Sequence, residues 1–195
     1  MLCLAESRKI ILVGIPGVGK TTLLNEVVEK LKEQDKTANV YSFGTLMFEV
    51  SKEHGIEDRD DLRKLPVAEQ QNLQKMAAEK LASMTDEIII IDTHAFISSP
   101  EGYYPGLPEH VLKIIKPTNF VSVYAKPEEI YSRRKNDLTR HRDKITIANV
   151  KKELDFQSAF ISACAVITGS PVKHVLNGEG KVDEAADKII NSLGL

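Results

Sequence analysis

The sequence predicts an α/β protein: a doubly wound, five-stranded parallel sheet in a single domain spanning residues 1–195. Three observations carry this. Short apolar runs rich in β-branched residues alternate with longer segments of helical spacing. The strongest run, Ile88-Ile89-Ile90-Ile91, is apolar at consecutive positions, as in a central strand buried on both faces. The first run ends in a glycine-rich turn that opens straight into a helix, the start of a βαβ unit. With 42% hydrophobic and 28% charged residues, the chain has the balance of a globular domain with a sizeable core.

Ile10-Ile11-Leu12-Val13 is the first strand. Gly14-Ile15-Pro16-Gly17-Val18-Gly19-Lys20-Thr21 follows and satisfies G-x-x-x-x-G-K-[ST] in full. Thr22 to Leu31 has helical spacing and ends near Gln34-Asp35-Lys36. Strand, glycine turn and helix are what a phosphate cradle requires. Glycine lets the backbone turn tightly and bring its N–H groups to an anion, and the helix adds its positive N-terminal end. In such a P-loop, Lys20 reaches the β- and γ-phosphates and the Thr21 hydroxyl ligates Mg²⁺.

Val40-Tyr41-Ser42-Phe43 is expected as the second strand, with Gly44 after it and a helix from Leu46 that closes at His54-Gly55. Glu57 to Arg63 holds four acids and two arginines, Arg59 and Arg63, and reads as a turn plus helix. Pro66 opens a helix whose Val67, Leu73, Met76, Ala77, Leu81 and Met84 share one face. The isoleucine strand, Glu87 to Asp92, ends in a carboxylate at the edge where open α/β sheets bind ligands. Ser98 to Pro108, rich in Gly, Pro and Tyr, is expected to be an irregular, shaped binding loop. Asn119 to Tyr124 is the fourth strand, and Pro127 starts a helix running into Arg133-Arg134-Lys135. A long helix from Thr146 to Thr168 carries apolar residues around much of its circumference and is expected to be well buried. Val172 to Asn177 is the fifth strand; Gly178-Glu179-Gly180 leads to a last helix with a stripe of Val182, Ala185, Ala186, Ile189, Ile190 and Leu193.

Net charge is −2, which gives no global reason to expect nucleic acid or an anionic membrane as partner. The two cysteines, Cys3 and Cys164, lack metal-ligand or disulfide-framework spacing, so a reducing cytosol is the simple reading. The N-terminus lacks the pattern of a signal peptide, and no apolar run has the length to span a bilayer.

Three groups beyond the P-loop carry chemistry. Asp92, ending the strand expected beside the P-loop strand, is placed to hold Mg²⁺ directly or through water. Arg133 to Lys144 holds six basic residues against two acids, a sharp local reversal of the chain's charge. It reads as a lid whose arginines stabilise a transferring phosphoryl group, as a solvated face, or as a nucleic-acid patch; the lack of interleaved aromatics counts against the last. Arg59 and Arg63 suit the phosphate of an acceptor or a surface salt-bridge face with the neighbouring acids. A phosphate acceptor needs positioning and charge neutralisation more than a base. Arginines outnumber isolated carboxylates near the expected site, which leans toward a nucleoside monophosphate acceptor.

The chain resembles the adenylate kinases, specifically the archaeal type. The resemblance rests on the P-loop G-I-P-G-V-G-K-T, on Asp58 to Leu65, on Ile91-Asp92-Thr93-His94-Ala95, on Gly102-Tyr103-Tyr104-Pro105-Gly106-Leu107-Pro108, and on Asp137-Leu138-Thr139-Arg140-His141-Arg142. It implies a P-loop NTPase fold with a short lid (about 133–145) and an AMP-binding segment (about 43–84). It also implies reversible, Mg²⁺-dependent phosphoryl transfer from ATP to AMP giving two ADP, in a cytoplasmic homotrimer. The residues carried over for ATP are Gly14, Ile15, Pro16, Gly17, Val18, Gly19, Lys20, Thr21 and Thr22. For AMP they are Gly44, Thr45, Arg59, Arg63, Tyr104 and Gly106. Catalysis is expected from Lys20, Arg133, Arg140 and Arg142, and metal binding from Thr21 and Asp92. The chain departs from the family where other adenylate kinases carry AMP-binding arginines: Phe48 stands at one such position, Asp92 to Phe96 replaces the strand end with its arginine, and Ser98 lies where archaeal relatives often have one. Other small P-loop kinases (CMP, UMP or a hydroxyl acceptor) and a related ATPase acting as an assembly or regulatory factor are the alternatives. A GTPase is disfavoured, since N-K-x-D and D-x-x-G are missing from suitable places.

Overall fold

The computed structural model describes residues 7–59, 61–99, 102–136 and 146–194. Arg140 and Arg142, and the side chain of Arg63, lie outside the described residues, as does Cys3. The elements follow the expected alternation. Strand β1 (Arg8–Val13) leads through the P-loop into α1 (Lys20–Glu33); β2 (Ala38–Ser42) leads directly into α2 (Phe43–Glu53). A single turn of 3-10 helix, Asp61–Lys64, precedes α3 (Val67–Ala82). Strand β3 (Ile88–Thr93) is followed by the pair β4 (Phe96–Ser99) and β5 (Gly102–Pro105), then α4 (Glu109–Ile115). The chain closes with β6 (Asn119–Tyr124), α5 (Pro127–Asn136), α6 (Ile147–Thr168), β7 (Val172–Leu176) and α7 (Val182–Ser192).

Five strands form one parallel sheet in the order β2-β3-β1-β6-β7. The chain leaves β1 toward β2 and β3 on one side, then crosses to β6 and β7 on the other. The turn after β1 therefore sits at the topological switch point, where open sheets of this kind bind ligands. The isoleucines of β3 are fully buried, as a strand between two neighbours with both faces covered requires. Ile10, Leu12, Ile88, Ile90, Val121 and Val123 pack in the core built with α1 and α7. Ile11, Val13, Ile89, Ile91 and Phe120 pack in the opposite core with α3, α4 and α6. Each such side chain contributes about 1.5–3 kcal/mol by leaving water. Side chains alternate along a strand, so Asp92 lies on the α1 side, two positions beyond Ile90.

Three expectations needed correction. Ser98 to Pro108 is not irregular: Phe96–Ser99 and Gly102–Pro105 pair as an antiparallel hairpin. Its Phe96 and Tyr103 rings meet edge-on at 5.2 Å, and Tyr103 lies 4.3 Å from the Phe156 ring of α6. Aromatic packing against a distant helix, rather than local propensity, fixes this pair. Second, α6 is only partly buried: Val150, Gln157, Ile161 and Cys164 face the core, while Val166 is 85% exposed. Third, Phe43 begins α2 rather than ending β2, because the Ser42 side chain caps the helix by accepting from the Thr45 N–H at 3.4 Å.

Candidate functional site

The glycines of the P-loop are required by its backbone. Gly17 and Gly19 have φ of 86° and 85°, a region L-residues rarely occupy. Gly19 also caps α1 without a side-chain hydrogen bond, and the first turn of α1 contains no acid, so its N-terminal N–H groups and positive end stay open to an anion. Thr21 and Thr22 are exposed at this helix start. Ile15 and Val18, by contrast, turn into the core and anchor the loop.

Lys20 Nζ donates to the Gly14 carbonyl at 2.7 Å and lies 3.9 Å from Asp92 Oδ1. Asp92 pairs in register with Leu12 of β1 on one side and Ser42 of β2 on the other. Burial pushes its carboxyl above the usual carboxylate range, and Lys20 offsets part of that shift. Its Oδ1 is buried and has no hydrogen-bond partner among the described residues. A buried, acceptor-only oxygen facing a lysine at the sheet edge is a fit for a hard cation, which takes oxygen ligands.

Helix α5 approaches the loop from outside. Arg133 Nη1 reaches the Gly17 and Val18 carbonyls at 3.5 and 3.4 Å, and its Nη2 reaches Glu129 and the Asn177 carbonyl. Arg134, 6% exposed, donates from Nε to the Pro16 carbonyl at 2.7 Å. Its fork holds both oxygens of Glu153, at 3.2 and 2.6 Å. From the end of β7, Asn177 Nδ2 donates to the Val18 carbonyl at 2.8 Å. A cleft of about 260 Å³ opens beside this corner, lined by Lys126, Glu129, Leu176, Gly178, Glu179 and Lys181 among others.

A second helix start lies along the same edge. Because Ser42 is in register with Asp92, α2 begins where β3 ends. Arg59 lies over it: a Cβ placed on Gly44 would come within 2.9 Å of Arg59 Nη2. The structure thus brings Gly44 and Arg59 together, with exposed Thr45 in the same turn. Phe48, one turn further, carries the Lys52 ammonium over its ring at 4.7 Å. Tyr104 is 41% exposed on the hairpin. Gly106 is buried, its N–H on the Ala95 carbonyl, and a Cβ there would run into the His94 carbonyl; close backbone approach demands glycine.

The family described as AAA domain matches residues 13–151. Adenylate kinase from Methanocaldococcus jannaschii is 40% identical over 190 residues, covering 96% of this chain and 99% of that protein. The chain belongs to the adenylate kinase family. Adenylate kinase from Thermoplasma volcanium is 42% identical over 181 residues, covering 92% of this chain and 96% of that one. Among solved structures, shikimate kinase from Acinetobacter baumannii has a TM-score of 0.58 at 16% identity, covering 97% of this chain and 94% of its own. The tunicamycin resistance protein of Deinococcus radiodurans scores 0.60 at 15%, covering 97% of each chain. These two share the fold.

For this adenylate kinase family member, the sequence pointed to the P-loop, Asp92 and Arg133, and the structure joins them at one edge. It missed Arg134, Glu153 and Asn177. Arg134 stood within a basic run, where adjacent helical residues point about 100° apart, and composition cannot say which one turns inward. Asn177 had a usable signal: like Asp92, it is a polar residue at the C-terminal end of a strand.

Proposed function

We propose that this chain catalyses reversible, Mg²⁺-dependent phosphoryl transfer from ATP to AMP, giving two ADP. The observation that carries the reading is the pair of helix starts on one sheet edge, α1 with no side-chain cap and α2 capped by Ser42 beneath Arg59, with Asp92 between them in register. One suits a triphosphate donor and the other, with Arg59 over Gly44, a phosphate-bearing acceptor. The relatives named adenylate kinase agree with it.

In this mechanism Gly14, Ile15, Pro16, Gly17, Val18, Gly19, Lys20, Thr21 and Thr22 bind ATP. Lys20 neutralises charge on the β- and γ-phosphates. Thr21 and Asp92 would hold Mg²⁺, which would supply charge neutralisation for the phosphates. Gly44, Thr45, Arg59 and Arg63 of the segment 43–84 hold AMP, together with Tyr104 and Gly106 from the stretch after β4. Its phosphate oxygen is already anionic near neutral pH, so this chain needs to orient it rather than deprotonate it. Arg133, Arg140 and Arg142 of the lid, 133–145, stabilise the spread charge of the phosphoryl group in flight. A cytoplasmic homotrimer belongs to the same proposal, by resemblance to archaeal adenylate kinases.

A coupled assay with ATP and each of AMP, CMP, UMP and no acceptor tests this. ADP formation should depend on AMP and on Mg²⁺. Preference for another acceptor would replace the reading with a different small kinase; slow ATP loss that AMP leaves unchanged would replace it with an ATPase.

A further inference from the structure

We propose that Arg134 and Asn177 are positioning residues that preorganise the P-loop by clamping its carbonyls from outside. The inference rests on the reading of this loop as a triphosphate site. It starts from peptide geometry. In a trans peptide the C=O and the following N–H point in opposite directions, and no cis peptide occurs among the described residues. Arg134 Nε holds the Pro16 carbonyl at 2.7 Å, so the Gly17 N–H faces away from α5, into the loop. Asn177 Nδ2 holds the Val18 carbonyl at 2.8 Å, so the Gly19 N–H does likewise. The peptide between them is fixed internally, since the Val18 N–H donates to the Ile15 carbonyl. The two clamped peptides are those that end at Gly17 and Gly19, the loop glycines with positive φ, and glycine has the least intrinsic preference for one conformation.

Both clamps are themselves immobilised. Arg134 is buried with its fork on Glu153, and Asn177 is 2% exposed. The fit is close: a Cβ on Gly17 would meet Arg134 Cγ at 2.9 Å and one on Gly19 would meet Asn177 Nδ2 at 2.7 Å. Neither clamping nitrogen is available to substrate, because each is used on a carbonyl facing away from the nest. An anion site whose donors are aimed beforehand binds without the cost of ordering them. The Arg134–Glu153 pair also joins the last turn of α5 to the second turn of α6, the helices on either side of residues 137–145.

The test uses Arg134→Lys, which keeps the charge but loses Nε, and Asn177→Asp, which keeps the shape but turns an acceptor toward the carbonyl. Asn177→Ala serves if the aspartate variant does not fold. Affinities for inorganic tripolyphosphate and for a non-hydrolysable ATP analogue are measured by calorimetry, and KM for AMP in the kinase assay. Each variant should weaken tripolyphosphate and the analogue by the same factor, about tenfold, because the loss is at the phosphates. KM for AMP should stay within about twofold. In the ligand-free protein, amide order parameters of Gly17 and Gly19 should fall from about 0.85 toward 0.6 or below. Folded variants with wild-type affinities, or with unchanged glycine order parameters, overturn the proposal. The order parameters need no nucleotide, so a wild-type protein that binds neither anion would sink the functional reading while the clamp is still judged.

Discussion

Replacing Gly19 with alanine perturbs the loop in two ways that the structure makes separable. The residue sits at φ 85°, where an L side chain costs roughly 1–2 kcal/mol. The new Cβ would fall 2.7 Å from Asn177 Nδ2, so that amide must leave the Val18 carbonyl it holds at 2.8 Å. Losing a buried hydrogen bond of this kind costs about 1–3 kcal/mol. Together these give a destabilisation of about 2–5 kcal/mol, or a fall in Tm of about 4–20 °C for a chain of this size. Gly44→Ala is the matched control. Its φ is not in the left-handed region, and among the described residues the only atom a Cβ would meet closely is the far end of Arg59, which can move. Its change should stay within about 0.5 kcal/mol. Thermal unfolding of the ligand-free proteins, followed by circular dichroism, measures both. Equal shifts for the two substitutions would mean that neither the Gly19 backbone nor the Asn177 contact carries this stability.

Further outcomes follow from the site. Lys20→Ala should lower kcat about 10²–10³-fold by removing charge from the transferring group; a near wild-type rate in the coupled assay would remove the P-loop from catalysis. Asp92→Asn should abolish Mg²⁺-dependent turnover and also change the pH dependence of stability. Burial raises the Asp92 pKa in the fold, so the native state holds that proton more tightly than the unfolded chain. Its contribution to stability therefore falls as pH rises from the ordinary carboxylate value through the raised one. Relative to wild type, Asp92→Asn should gain stability across that window in ligand-free thermal unfolding, and a relative loss would contradict the assignment. Burial pushes the Cys164 thiol up to about 11, so in a Cys3→Ser background a thiol reagent near neutral pH should modify Cys164 only on unfolding. Rapid labelling of the native protein would refute that.

The central sheet was legible because Ile88 to Ile91 can be satisfied only between two covered faces, and Asp92 inherits its place from that strand. The P-loop was legible because its glycines, lysine and threonine fall at a spacing set by phosphate geometry. The hairpin was not. Gly102 and Pro105 are poor strand formers, and what holds β4 and β5 is Phe96 and Tyr103 against Phe156 and Phe160 of α6, over fifty residues later. Helix α4, with seven residues, is too short for its Val111, Leu112 and Ile115 to declare a period. The outer clamp was hidden for a related reason. That Arg134 turns toward Pro16 while Arg133 spreads over Gly17, Val18 and Asn177 depends on how α5 docks, a tertiary fact that charge counting does not contain.

The most direct measurement follows a labelled phosphoryl group. The chain is incubated with Mg²⁺, AMP and ATP carrying radioactive phosphorus at the γ position. Label should appear in the β-phosphate of ADP formed from AMP, with one AMP consumed for every two ADP made. Label released as inorganic phosphate, at a rate that AMP does not alter, would contradict transfer to AMP.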